Sequence, residues 1–199
     1  MIAPSLQEIL KLKLAEILTT ELDKELAEAT GEYKEALESF YNTAGELNIF
    51  VDRFTPLDPS EMNGIVITPE KVLYEHGSSR KSQNSATYFV DVLGESYSTE
   101  TEPGDEKTNR ILQRINGVIV QIMQKGEYIR MDLEPGIVSS KKWIETMFYR
   151  PTPDTANYPN AVTSRLEIEY DEEKILKTPV QLKSHHTTKS GRYKLIKNF

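Results

Sequence analysis

Over residues 162–170 two kinds of side chain take strict turns. Val162, Ser164, Leu166, Ile168 and Tyr170 alternate with Thr163, Arg165, Glu167 and Glu169. Successive side chains on a strand point to opposite faces, so this stretch is a strand with one covered face and one wet face. Such a strand needs an antiparallel partner and a layer over its apolar side. A second pattern supplies the layer. Ile111, Leu112, Ile115, Val118, Ile119, Ile122 and Met123 recur at three- and four-residue spacing, with Asp105 or Thr108 as the cap and Gly126 in the stop position. That stripe is broad enough to lie across a sheet. Together the two patterns predict an α+β fold, a mixed or antiparallel sheet with a central helix packed on it.

The remaining elements fit around this pair. Ser5 and Glu8 make a capping-box pattern, and Leu6, Ile9, Leu10, Leu14, Ile17, Leu18 and Leu22 follow as the stripe of an amphipathic helix with an acidic opposite face. The pattern weakens at Thr30-Gly31 and resumes with Tyr33, Ala36, Leu37, Phe40 and Tyr41, which reads as two helices or one interrupted helix. The Leu stripe serves either as core or as a contact with another subunit. Residues 47–51, 65–67, 72–74, 87–93, 128–131 and 142–150 are strand candidates, and residues 76–85 form a polar hairpin loop. Late strand candidates lie at 179–182 and 193–196. The organisation that results is a helical segment over 1–45, an α+β core over 46–173 and an extended C-terminal tail over 174–199.

Charge is distributed unevenly. The tail holds Lys174, Lys177, Lys183, Lys189, Arg192, Lys194 and Lys197 and no acid; the other residues carry 17 bases against 31 acids, a net charge of −14. An acidic body with a cationic tail is a polarised molecule, suited to head-to-tail contact between copies, with the tail on the next copy's body as the expected subunit interface. The acidic body argues against direct binding of nucleic acid.

Chemistry-bearing patterns are scarce. The chain has no cysteine and three histidines, His76, His185 and His186. Adjacent histidines on a strand point apart and make a poor metal pair, and His76 sits in a Gly-Ser loop. No nucleophile elbow, phosphate-binding glycine loop or metal-ligand spacing occurs. No enzyme activity, cofactor or metal is expected. No run approaches the roughly 20 apolar residues of a membrane span. Residues 1–5 lack a basic stretch followed by an apolar one, so no signal peptide is expected.

The order of elements, with residues 86–92 before the central helix, residues 111–123 within it and residues 161–170 as the closing strand, resembles the tail-terminator and tail-completion proteins of long-tailed bacteriophages, the proteins that join head and tail at the neck. The resemblance spans about residues 47–173. It implies a structural virion protein, assembled in the host cytoplasm, that forms a ring, commonly hexameric, to cap the tail tube and meet the head–tail connector. The partners it implies are further copies of the chain, tail-tube proteins and connector proteins, with DNA passing through without specific binding and no membrane contact. In that reading the loop bearing His76, Arg80 and Lys81 reaches the tube or the lumen. The alternatives are a head-completion, tail-tube or other neck component of a phage or contractile injection system, or a non-viral protein-binding module that docks through the Leu stripe.

Overall fold

The computed structural model describes residues 5–53, 63–74, 83–95, 104–149, 160–171, 185–187 and 193–195. The fold is α+β: an open mixed five-stranded sheet with three helices. In chain order the elements are α1 (Leu6–Glu28), α2 (Gly31–Glu38), β1 (Ile49–Val51), β2 (Gly64–Tyr74), β3 (Gln83–Gly94), α3 (Gly104–Gln124), a 3-10 turn (Gly126–Tyr128), β4 (Val138–Tyr149), β5 (Asn160–Asp171), β6 (His185–Thr187) and β7 (Tyr193–Leu195). The sheet order is β1-β2-β3-β5-β4, parallel between β1 and β2 and antiparallel elsewhere. β6 and β7 pair separately, and β7 runs beside α1 and β1.

The alternation in β5 takes the expected form. Val162, Ser164, Leu166, Ile168 and Tyr170 are buried under the helices, while Arg165, Glu167 and Glu169 remain partly open on the other face. Across the sheet, Val90, Tyr88 and Ala86 of β3 lie opposite Ser164, Leu166 and Ile168. Together with Leu112, Ile115, Ile119, Ile122 and Met123 of α3 and the leucines of α1 they form a single apolar cluster. Where α3 crosses the sheet, Ser164 Oγ donates to Asn116 Oδ1 at 2.7 Å and lies 3.0 Å from Thr146 Oγ1. Ser164 is therefore a buried polar residue with its partners in place.

Four local expectations are corrected. Residues 65–67 and 72–74 belong to one strand, β2, with an irregularity between Pro69 and Lys71. Proline donates nothing to a ladder, and here it falls beyond Ile67, the last residue that β1 pairs, so no bond on that side is lost. Asp105 and Thr108 both fall inside α3, which begins at Gly104, so neither is its cap position; the Thr108 hydroxyl instead donates to the Glu95 carbonyl at 3.1 Å and ties the helix to the end of β3. Residues 128–131 are not a strand. Their amides close local turns, Tyr128 N to Lys125 O at 2.9 Å and Met131 N to Tyr128 O at 3.0 Å, while Met131 and Asp132 take positive φ and drive the Met131 side chain into the core. Finally, α1 has no acidic open side through its middle, because residues 12–18, Glu16 included, are buried.

That last point settles the role of the Leu stripe. Leu10, Leu14, Leu18 and Leu22 are fully buried, and Leu12, Ala15, Lys13, Glu16 and Glu21 around the rest of the helix are buried too. Lys13 is held between Glu16 (3.4 Å) and Asp132 (3.3 Å), as a buried charge requires. The stripe is core and not a free docking face. Ser5 caps the helix as expected, its Oγ accepting from Glu8 N at 3.3 Å. α1 and α2 are separate helices, because Ala29 is extended and Gly31 sits at φ 59°, a left-handed conformation suited to glycine.

Candidate assembly surface

An open sheet has two edges, and each exposes unpaired backbone. At one end, among the described residues, β4 pairs with β5, and beyond Val138, which is also bridged to Pro135, no strand pairs with its other side. At the opposite end β1 covers β2 only at residues 65–67, so among the described residues 68–74 of β2 pair with β3 alone. The large apolar side chains that stay open to solvent gather at these places. Leu73 and Tyr74 stand on the uncovered half of β2, Ile144 and Phe148 on β4, and Ile129 on the turn beside β4, all between 44% and 60% exposed.

The register fixes which side of the sheet each one occupies. Val138, Lys141, Trp143, Thr146 and Phe148 lie opposite Tyr170, Ile168, Leu166, Ser164 and Val162, and so share the helix-covered side. Tyr74 lies opposite Asn84, and Val72 opposite Ala86, on that same side. The β4 ladder is interrupted between Val138 and Ser140 and again between Trp143 and Glu145, which leaves Ile144 as the extra residue of a bulge.

Beside the upper half of β4 lies a pocket of about 360 Å³ lined by Met123, Gln124, Ile129, Lys141, Lys142 and Trp143. Its walls are apolar with cationic groups at the strand side. Lys141 Nζ donates to the Tyr128 carbonyl, and burial pulls its pKa down to about 8. The turn that carries Tyr128 and Ile129 is anchored from below by α1. Tyr128 Oη donates to the buried Glu21 at 2.9 Å, and Lys125 and Lys24 close ion pairs with the same carboxylate. Burial alone would raise the Glu21 carboxyl, but the hydrogen bonds from Lys125, Lys24 and Tyr128 outweigh it and hold the pKa at about 2. A line of contacts thus runs from Glu21 through Tyr128 to Lys141.

The face turned away from the helices buries Phe50 and Val66 at the β1 end and carries a row of polar and charged groups across β3, β5 and β4. Arg165 meets Glu70 and Glu145, Lys142 meets Glu167 at 2.9 Å, Ser140 Oγ donates to Glu169 at 2.7 Å, and Thr163 Oγ1 donates to Asp91 at 2.6 Å. Burial pushes the Asp91 carboxyl up against the effect of that hydrogen bond, and the Lys142 ammonium draws the Glu167 carboxyl down. A smaller crevice of about 200 Å³ opens between α2 and α3, with Glu32, Glu35 and Lys107 at its rim and Phe40, Ile111 and Leu112 inside.

His76, Arg80 and Lys81 lie outside the described residues, as do Lys174, Lys177, Lys183, Lys189, Arg192 and Lys197. Lys194 falls in β7, whose backbone runs beside α1 and β1 of its own chain. The edge residues Leu73, Tyr74, Ile144 and Phe148 are what sequence reasoning missed. Their apolar character was visible, but edge position is a property of strand order, which no local pattern carries.

No family model matches the chain, and no curated protein matches it. Among solved structures, it is similar to a chain described as "Virion of native gene transfer agent (GTA) particle", with a TM-score of 0.45 and 7% identity, covering 74% of this chain and 90% of that one. No described helix is long and apolar enough to cross a membrane.

Proposed function

We propose that this chain is a structural protein of a phage-like virion, a ring-forming tail terminator that caps the tail tube and joins it to the head connector, and that its work is assembly and not catalysis. One observation carries the reading: exposed apolar side chains stand at two different, opposite edges of one open sheet. Two unlike patches make a heterologous contact, which repeats from copy to copy and closes into a ring when the rotation allows. The strand directions suit this. β2 and β4 run antiparallel to one another within the chain, so a neighbour brought alongside by rotation about an axis near the strand direction sets its β2 antiparallel to β4. The helices then stay on one side all the way round. The polar, acid-rich sheet face forms the other side, a suitable lining for a passage that DNA traverses without sticking.

The charge polarity and the resemblance in element order support the same reading. The cationic tail residues other than Lys194, which lies in β7 beside its own body, have an acidic body to lie on in a neighbouring copy. His76, Arg80 and Lys81 fall in the sequence between β2 and β3, directly after Tyr74, and contact with the tube or the lumen is the role proposed for them. Electron microscopy of the purified chain, alone and mixed with tail tubes, tests the proposal. Rings, free or seated on tube ends, are the expected result. Single particles of monomer size that ignore the tubes would refute it.

A further inference from the structure

We infer that Tyr74 of one copy seats in the Met123–Ile129–Trp143 pocket of the next, so that this pocket is the acceptor of the ring junction; the inference rests on the ring reading above. Three observations lead there. First, the pocket and Tyr74 lie on the same side of the sheet, the side the helices cover, so continuing the sheet brings them into one layer. Second, they are at the same height. Ladder rows run from Tyr74 through Asn84 and Tyr170 to Val138, and from Val72 through Ala86 and Ile168 to Lys141. A neighbour placed flush therefore brings its residues 69–74 to the upper half of β4, where the pocket is, while its β1 meets the lower half near Phe148. Third, the chemistry matches. An amphipathic ring suits an apolar pocket with a polar wall, and Tyr74 is more than half exposed although Gln7 Nε2 donates to its hydroxyl at 3.0 Å. Lys141 donates to the Tyr128 backbone carbonyl, and an ammonium carries three donors, so it can also donate to the incoming hydroxyl oxygen. Main-chain bonds along β4 would give the junction strength and the pocket would give it register.

The chain contains no cysteine, so disulfide trapping reads the contact without background. Tyr74→Cys and Ile129→Cys are made singly, both at exposed positions, then mixed and mildly oxidised. The expected product is a disulfide joining one variant chain to the other, located by peptide mass mapping, with little product from either variant alone. The doubly substituted chain should give a ladder of covalent multimers. A cross-link that forms between two Tyr74→Cys chains and not across the mixture would show a two-fold contact and overturn the inference. If the wild-type chain has the mass of a ring yet no mixed disulfide forms, the pocket assignment fails while the ring reading stands. If the wild-type chain is a monomer at every concentration and forms no rings on tail tubes, the ring reading fails and the inference falls with it.

Discussion

Arg165 reaches across strand β3 to Glu70: its Nε and Nη2 donate to Glu70 Oε2 at 2.9 and 2.6 Å, over the ring of Phe89, whose centroid lies 5.7 Å from the guanidinium carbon. On its other side Arg165 pairs with Glu145. One side chain thus links β2, β5 and β4 on the face the helices leave open, and it holds Glu70 at the irregular step of β2. Both carboxylates push the Arg165 pKa further up, Glu70 the more strongly, so the guanidinium is charged at any working pH.

Removing that link should loosen the half of β2 that β1 does not cover. Arg165→Gln is expected to accelerate amide exchange over residues 71–74 more than over the β3–β5 ladder. Hydrogen exchange with fragment mapping measures this. Equal change in both places would mean that the row adds nothing to the edge.

Glu21 gives a pH signature. Its carboxylate is held at about 2 in the fold, against 4.5 for an unperturbed group. A depressed acid contributes stability above its unfolded pKa and loses it as pH falls. Glu21→Gln is therefore expected to destabilise the chain by about 1–3 kcal/mol at neutral pH, with the difference from wild type shrinking between pH 4.5 and 2. Urea denaturation across that range checks it. A difference independent of pH would show that packing, not charge, accounts for the residue.

Lys141 runs the opposite way. Its folded pKa of about 8 lies below the 10.5 of a free lysine, so the fold bears the cost of a partly buried charge in full below pH 8. That cost is relieved as pH rises from 8 to 10.5. In the isolated chain, Lys141→Met is expected to raise stability at pH 7 by about 1–2 kcal/mol, with the gain fading toward pH 10.5. Thermal melts at pH 7 and pH 10 separate this from a gain due to added apolar surface, which would persist at both.

Ser164 is a buried hydroxyl in the inner row of β5. Ser164→Ala leaves the Asn116 side-chain oxygen and Thr146 without it, and should cost about 1–3 kcal/mol. The double change Ser164→Ala with Asn116→Leu should recover part of that loss, because it removes the orphaned acceptor as well. Denaturant titration of the three proteins tests the pairing, and additive losses would contradict it.

Much of this fold is legible in the sequence because its strongest signals are local. The alternation from Val162 to Tyr170 and the stripe from Ile111 to Met123 name a strand and a helix, and these form the middle of the molecule. Residues whose state depends on distant partners were not legible. Residues 65–67 and 72–74 read as two short strands until Pro69 is seen to lie beyond Ile67, the last residue that β1 pairs. Residues 128–131 look like a strand until Glu21, more than 100 positions away in sequence, is found anchoring Tyr128. Glu16 and Glu21 suggest a wet helix face, yet both are buried, with Glu16 beside Lys13 and Glu21 bound to Lys24, Lys125 and Tyr128. The candidate surface was harder still, since being an edge is decided by which strand ends up outermost.

The tail is best tested by charge and not by truncation, because β7 runs beside α1 and β1 and its removal would disturb the body too. Replacing Lys174, Lys177, Lys183, Lys189, Arg192, Lys194 and Lys197 with Gln should weaken assembly. Raised salt should weaken the wild-type assembly in the same way and leave the variant less affected. Sedimentation velocity over a salt series reads both effects.

Light scattering of the full chain beside an edge variant, Ile144→Lys with Phe148→Glu, bears most directly on whether the sheet edges join copies. Both side chains are exposed, so the variant should keep its fold, which circular dichroism verifies. The expected result is a discrete multiple of 22.7 kDa for the wild type and 22.7 kDa for the variant. Two assembled species of equal mass, or two monomers that also form no rings on tail tubes, would contradict the account.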